Sequence, residues 1–269
     1  MPALRLTVAY DGAGFAGWAA QPGQRTIEGE LSAALERVLG QPIELTVAGR
    51  TDAGVHALGQ VASLYVEGEP PVTLTRSLNA LTPPAISVLD ASEAADGFDA
   101  RHDAHARTYC YRLLTRAAPD PFEHGRSLWW PHKLDRDALA ACAEALEGVH
   151  DFTAFTPTVT EHVHFHREVL SAAWRGVDRA AETRAPWERA EGAEDELATP
   201  AAAGLEFWIE ADAFMRHMVR VLVGTMLEVG GGRRSLEDFS SLLTGAPRER
   251  AGETAPPHGL YLASVSYDD

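Results

Sequence analysis

Val47-Ala48-Gly49-Arg50-Thr51-Asp52-Ala53-Gly54-Val55-His56-Ala57-Leu58-Gly59-Gln60-Val61 sets an arginine, an aspartate and a histidine into a glycine-punctuated turn between two apolar segments. Glycine permits positive φ and close backbone approach, so such a turn presents short polar side chains that would otherwise be buried or splayed. Asp52 is the candidate reactive group. Arg50 beside it can hold a partly desolvated carboxylate ionised, the state that nucleophilic attack or proton abstraction requires. The same residues also fit a capped turn closed by a surface ion pair, and local chemistry leaves both readings open.

Outward from the loop, a strand over residues 43–48 enters it and one over 60–66 leaves it. Residues 4–10 alternate as an early strand that Asp11-Gly12 ends. Thr26 caps a helix on which Ile27, Leu31, Leu35 and Val38 recur at helical spacing; Glu28 and Glu30 suit its start, and Gly40 stops it. A short helix over 75–81, limited by Asn79 and Pro83-Pro84, precedes a strand over 86–89. This alternation predicts an α/β fold of the α+β kind with antiparallel pairing, and no phosphate-cradling glycine motif accompanies it.

Phe98-Asp99-Ala100-Arg101 marks the passage to a second half. A strand over 106–113 sets Tyr109 and Tyr111 on one face and Cys110 on the other. Asp135 caps a helix that Gly148 closes, Leu134 and Leu139 forming a hydrophobic staple. Phe152 and Phe155 read as packing residues. His162, His164 and His166 alternate, yet no paired cysteine or acidic pattern supports a metal site. Residues 177–199, rich in Ala, Glu and Asp, read as a flexible insertion. After a strand over 205–211, Met215, Met218, Val219, Leu222 and Met226 form a helical stripe, with Arg216 and Arg220 on a neighbouring face and Gly224 allowing close packing. Ser235 and Asp238 form a capping box, and residues 259–266 include a terminal strand whose loss would disturb a sheet.

The chain has 269 residues, 45% of them hydrophobic, enough for one large domain or two modest ones. Its start lacks a secretory pattern and no segment approaches a membrane span, so cytoplasmic residence without a membrane is expected. Cys110 and Cys142 are too few for a disulfide framework and read as reduced, packed thiols. The net charge of -16 opposes a nucleic-acid partner unless a basic cleft coexists with an acidic exterior. Arg50, Arg101, Arg107, Arg167, Arg216 and Arg220 are expected to enrich such a cleft.

The loop from Gly49 to Gln60 resembles the signature of the TruA family of transfer RNA pseudouridine synthases. The likeness recurs in Tyr10-Asp11-Gly12 with Phe15-Ala16-Gly17-Trp18, in Arg107-Thr108-Tyr109-Cys110-Tyr111, in His150-Asp151-Phe152, in Phe165-His166-Arg167, and in Met215-Arg216-His217-Met218-Val219-Arg220 with Val223-Gly224. These motifs span nearly the whole chain in the family's order. Departures are Ala19 in place of the usual glutamine, Asp99 where a histidine is common, and His102 in place of an aromatic.

The resemblance implies two ferredoxin-like halves with antiparallel sheets meeting across a central catalytic cleft. Residues 1–103 would carry the Asp52 loop, and residues 104–269 would carry Tyr109, Arg167 and Arg220. The loop of Trp18 would lie near the RNA, although alone it also fits a packed turn. The implied activity is isomerisation of uridine to pseudouridine in the anticodon stem-loop, at or near positions 38 to 40 of the transfer RNA, with no cofactor or metal. The resemblance makes Asp52 catalytic together with Arg50, Tyr109 and Arg220: Arg220 pairs with the aspartate, and Tyr109 stacks on the extruded base. His56, Arg101, Arg107, Arg167 and Arg216 join Tyr109 as substrate contacts. Transfer RNA and a second copy of the chain are the implied partners. A synthase for another RNA and a noncatalytic RNA-binding module are the alternatives.

Overall fold

The computed structural model describes residues 3–160, 163–177 and 204–268. From residue 178 onward the expected insertion lies outside the described residues, as do Glu161 and His162 of the histidine run. Two compact units divide the chain, one running to Tyr109 and resuming at Tyr261, the other spanning Cys110–Leu260. Tyr109 and the end of the chain thus count with the first unit, unlike in a division at residue 103. Both units are mixed α/β with mostly antiparallel pairing.

In the first unit, β1 (Ala3–Tyr10) buries Leu4, Leu6, Val8 and Tyr10, the period-2 face that its sequence displays. It lies between β3 (His56–Tyr65) and β4 (Ile86–Ala94), antiparallel to both. Helix α1 (Ile27–Leu39) packs Ile27, Leu31, Ala34 and Leu35 inward; the Thr26 side chain accepts from Gly29 N, and Gly40 ends the helix at φ 69°. Burial of each large apolar side chain here contributes about 1.5–3 kcal/mol. Asn79 does not limit α2 (Leu74–Leu81) but sits within it, its amide exchanging two 2.8 Å hydrogen bonds with the Val88 backbone of β4.

The strand expected over 43–48 shrinks to β2 (Thr46–Val47), paired with Ser63 and Ala62 of β3. Conversely, β3 begins four residues before the expected 60. Tyr261 and Leu262 of β10 (Leu260–Tyr267) pair in parallel with His56 and Ala57, a partner about two hundred residues distant that no local pattern displays. Opposite β1, the register of β3 slips between Gln60 and Ala57. Such a bulge re-aims side chains beside it. The Asp52 loop is the connection from β2 to β3.

In the second unit, β7 (Gly148–Asp151), β8 (His166–Val177) and β9 (Gly204–Ala211) pair antiparallel in that order, while Leu113 and Leu114, the last residues of β5 (Ala104–Leu114), pair with β6 (Leu128–Trp129). Helix α3 (Arg136–Glu144) is capped by Asp135 as expected but ends before Gly148. Helix α4 (Met218–Gly230) supplies much of the core, and Phe152 and Phe155 pack with Phe239 of α5 (Leu236–Ser241). Only half of the expected capping box forms. Ser235 accepts from Asp238 N, but the Asp238 carboxylate pairs with Arg234 and Arg250. Cys110 and Cys142 are both buried, and burial pushes the Cys142 thiol up to about 12.

Candidate active site

Asp52 opens a four-residue turn that closes where Val55 N donates to Asp52 O at 3.1 Å. Gly54 supplies the positive φ, 77°, that the third position of such a turn requires. The Asp52 side chain is partly exposed, whereas the backbone around it is held from below. Arg107 donates Nε and Nη2 to Ala48 O at 3.2 and 3.0 Å, and Gln60 Nε2 donates to Gly49 O at 2.7 Å. Trp18 N donates to Thr51 O at 3.0 Å, and the Thr51 hydroxyl lies 2.8 Å from the Tyr10 phenol. Because Gln60 Nε2 also donates to that phenol at 3.3 Å, the Tyr10 proton is left for Thr51.

The first motif is a mould for this loop. A Cβ at Gly12 would stand 2.0 Å from Val55 O, and one at Gly17, where φ is 100°, would stand 2.8 Å from Thr51 O. Trp18 is 1% exposed, a packed side chain within its own loop. His56, expected as a substrate contact, is likewise turned inward. It is buried, its ring stacks on Tyr261 at 4.7 Å, and Nδ1 accepts from Gly12 N at 3.1 Å. An ion pair with Asp11, whose Oδ1 is 3.2 Å from the same nitrogen, would need a proton on Nδ1 and would displace Gly12. The hydrogen bond is the better description, since the ring is enclosed.

Tyr109 is buried on β5, and a Cβ at Gly49 would lie 3.8 Å from its hydroxyl. Burial pushes its phenol above the ordinary range, with Tyr10 and Asp52 adding to the rise and Arg107 opposing it. Burial likewise raises Tyr10 to about 12, against the hydrogen bonds from Thr51 and Gln60. Both phenols are therefore neutral donors at physiological pH. Asp52, Tyr109 and Arg107 thus belong to one electrostatic neighbourhood in the first unit.

The arginines separate by exposure. Arg50 is exposed and has no hydrogen bond or ion pair among the described residues, so the surface ion pair of the capped-turn reading is not formed by it. Arg107, expected to contact substrate, is instead 9% exposed and donates inward to Ala48, Ala104 and Arg101 carbonyls. The side chain of Arg101 is exposed, while its N–H and that of His102 bind Asp99. Burial alone would raise the Asp99 carboxyl; these bonds and His102 hold it below the usual value.

In the second unit, Arg220 and Ala255 bond reciprocally: Arg220 Nε donates to Ala255 O at 2.7 Å, and Ala255 N donates to Arg220 O at 3.0 Å. Gly224, one turn on, permits this docking, because a Cβ there would stand 1.9 Å from Glu253 O. Arg216 is exposed and precedes α4, not sharing a helical face with Arg220 as expected. The reason is His217, whose φ of 63° is the one positive value outside glycine among the described residues and starts the helix at Met218. Arg167 donates Nη1 to His166 O at 2.6 Å, and its Nε is buried without a hydrogen-bond partner among the described residues. Tyr111 is core, its hydroxyl donating to Pro256 O.

Tyr10, Thr51 and Gln60 were not among the expected site residues. For Tyr10 and Gln60 the signal is a polar group inside an apolar strand, which must find a buried partner.

The sequence profile of the tRNA pseudouridine synthases matches residues 6–103 and 142–268. Proteins named tRNA pseudouridine synthase A resemble the chain along its length. That of Frankia casuarinae is 40% identical over 98% of the chain and 89% of the relative; that of Myxococcus xanthus is 38% identical over 100% and 93%. The Moorella thermoacetica protein is 37% identical over 99% of the chain and 100% of its own length.

Proposed function

The chain belongs to the tRNA pseudouridine synthase family and isomerises uridine in transfer RNA, and we propose that Asp52 is the carboxylate that carries the reaction. The observation behind this choice is the loop itself: a partly exposed carboxylate on a backbone whose carbonyls at Ala48, Gly49, Thr51 and Asp52 all accept hydrogen bonds. Isomerisation breaks the N1–C1′ bond and joins C5 to C1′. The C5 hydrogen leaves as a proton and N1 gains one, so neither oxidant nor reductant is consumed. A stacked base cannot be reached for this exchange, and the uridine must be extruded.

Within this reading, neutral Tyr109 packs on the extruded base and offers it a hydroxyl, Arg50 meets the RNA from its exposed position, and Arg220 takes part in catalysis. Arg101, Arg167 and Arg216 contact the RNA backbone. The target uridines lie at or near positions 38 to 40 of the anticodon stem-loop, and the enzyme works as a homodimer in the cytoplasm. No helix among the described residues is long and apolar enough to cross a membrane. Sedimentation of a monomer that retains full activity would remove the dimer from this reading.

The test compares wild type with Asp52→Asn on unmodified transfer RNA, mapping pseudouridine by labelling and mass spectrometry. Wild type should modify the anticodon stem-loop, and the variant, folded as before, should lose a factor on the order of 10²–10⁴ or more. Full activity of Asp52→Asn would remove the assignment, and product mapped elsewhere would remove the anticodon site.

A further inference from the structure

Two consecutive carbonyls at the entrance to Arg50-Thr51-Asp52 are gripped by buried side chains from different strands. Arg107 of β5 holds Ala48 O with Nε and Nη2, and further hydrogen bonds to Arg101 O at 2.7 Å and Ala104 O at 2.9 Å tie the same guanidinium to the connector. Gln60 of β3, fully buried, holds Gly49 O, and its Oε1 accepts from Val61 N at 3.2 Å. Removing a guanidinium from water costs several kcal/mol, which hydrogen bonds to carbonyls offset only in part. An apolar residue would fill this strand position without that cost. It would not hold the Ala48 carbonyl.

We propose that Arg107 and Gln60 are positioning residues: by clamping successive carbonyls they set the direction in which the loop presents the Asp52 carboxylate. The inference rests on Asp52 being the catalytic group. Neither residue touches the base or the phosphates. A carbonyl released at Ala48 or Gly49 lets the three following residues swing, and a misplacement of about 1 Å at a reacting group can cost on the order of 10²-fold in rate. A direct contact of Arg107 with RNA phosphate would behave differently. Its loss would weaken binding and reduce the slope of log affinity against log salt by about 0.9.

The experiment uses Arg107→Met, Arg107→Lys, Gln60→Met and Asp52→Asn in the full chain, with steady-state pseudouridine formation on unmodified transfer RNA and filter binding across a salt series. Both methionine variants should lose about 10²-fold in kcat while KM, Kd and the salt slope hold within about twofold of wild type. Arg107→Lys, which keeps a donor for Ala48 O, should recover part of the lost kcat. Weakened binding with a flatter salt slope in Arg107→Met would make it an RNA contact and overturn the proposal. So would normal kcat in both methionine variants beside an inactive Asp52→Asn. An active Asp52→Asn would instead sink the catalytic assignment beneath it. Should Arg107→Met not fold, Gln60→Met decides, and a folded Gln60→Met with wild-type kcat overturns the clamp.

Discussion

At Gly12 a single methyl group is enough to disturb the Asp52 loop, because its carbon would meet the Val55 carbonyl oxygen at 2.0 Å. Gly12→Ala should therefore displace the turn, destabilising the first unit by about 1–3 kcal/mol and lowering kcat more than RNA affinity. Urea denaturation and the pseudouridine assay check this, and wild-type values in both would refute the tight fit. Asp52 and Tyr109 stood out in the sequence because motif and spacing carried them, and the structure sets both in the first unit in one electrostatic neighbourhood with Arg107. His56 and Arg107 were legible as positions but not as roles. A histidine or arginine reads the same whether it faces solvent or a carbonyl, and here both are turned inward.

Elements whose determinants are local follow their sequence closely. Helix α1 has its Thr26 cap, its apolar stripe and its Gly40 stop within one stretch, and it forms where they place it. β3 does not, because its first residues pair with β10 from the end of the chain. Leu260, Tyr261 and Leu262 are all buried, and Tyr267 donates to Ala100 O at 2.7 Å. Burying each of the three side chains contributes about 1.5–3 kcal/mol, together comparable to the whole stability of an ordinary domain. A chain ending at residue 259 should accordingly lose cooperative folding in its first unit, followed by circular dichroism on heating. A melt within a few degrees of the full chain would show that β10 is dispensable.

Across the molecule, desolvation makes four of the six tyrosine phenols, those of buried Tyr10, Tyr109 and Tyr111 and of half-buried Tyr267, resist ionisation. Burial pushes Tyr10 to about 12, and Tyr109, Tyr111 and Tyr267 also rise. An unfolded chain releases these protons near pH 10, whereas the folded chain keeps them, so the unfolded state binds fewer protons there and stability falls as pH rises. The contribution is complete below about pH 10 and, for Tyr10, is lost by about pH 12. Phenolate absorbance should show these four ionising only as the protein unfolds; reversible titration of all six near pH 10 in the folded protein would contradict it. By itself the sequence determined the family, the α/β class and the helix α1 with its cap, stripe and stop, since each is written in neighbouring residues or in motifs kept in order. Only the tertiary structure decided that His56 and Arg107 turn inward, that Gln60 and Tyr10 sit beneath the Asp52 loop, and that the last strand lies beside β3. Those outcomes depend on which groups distant in the chain come within hydrogen-bonding distance, and neither spacing nor composition carries that information.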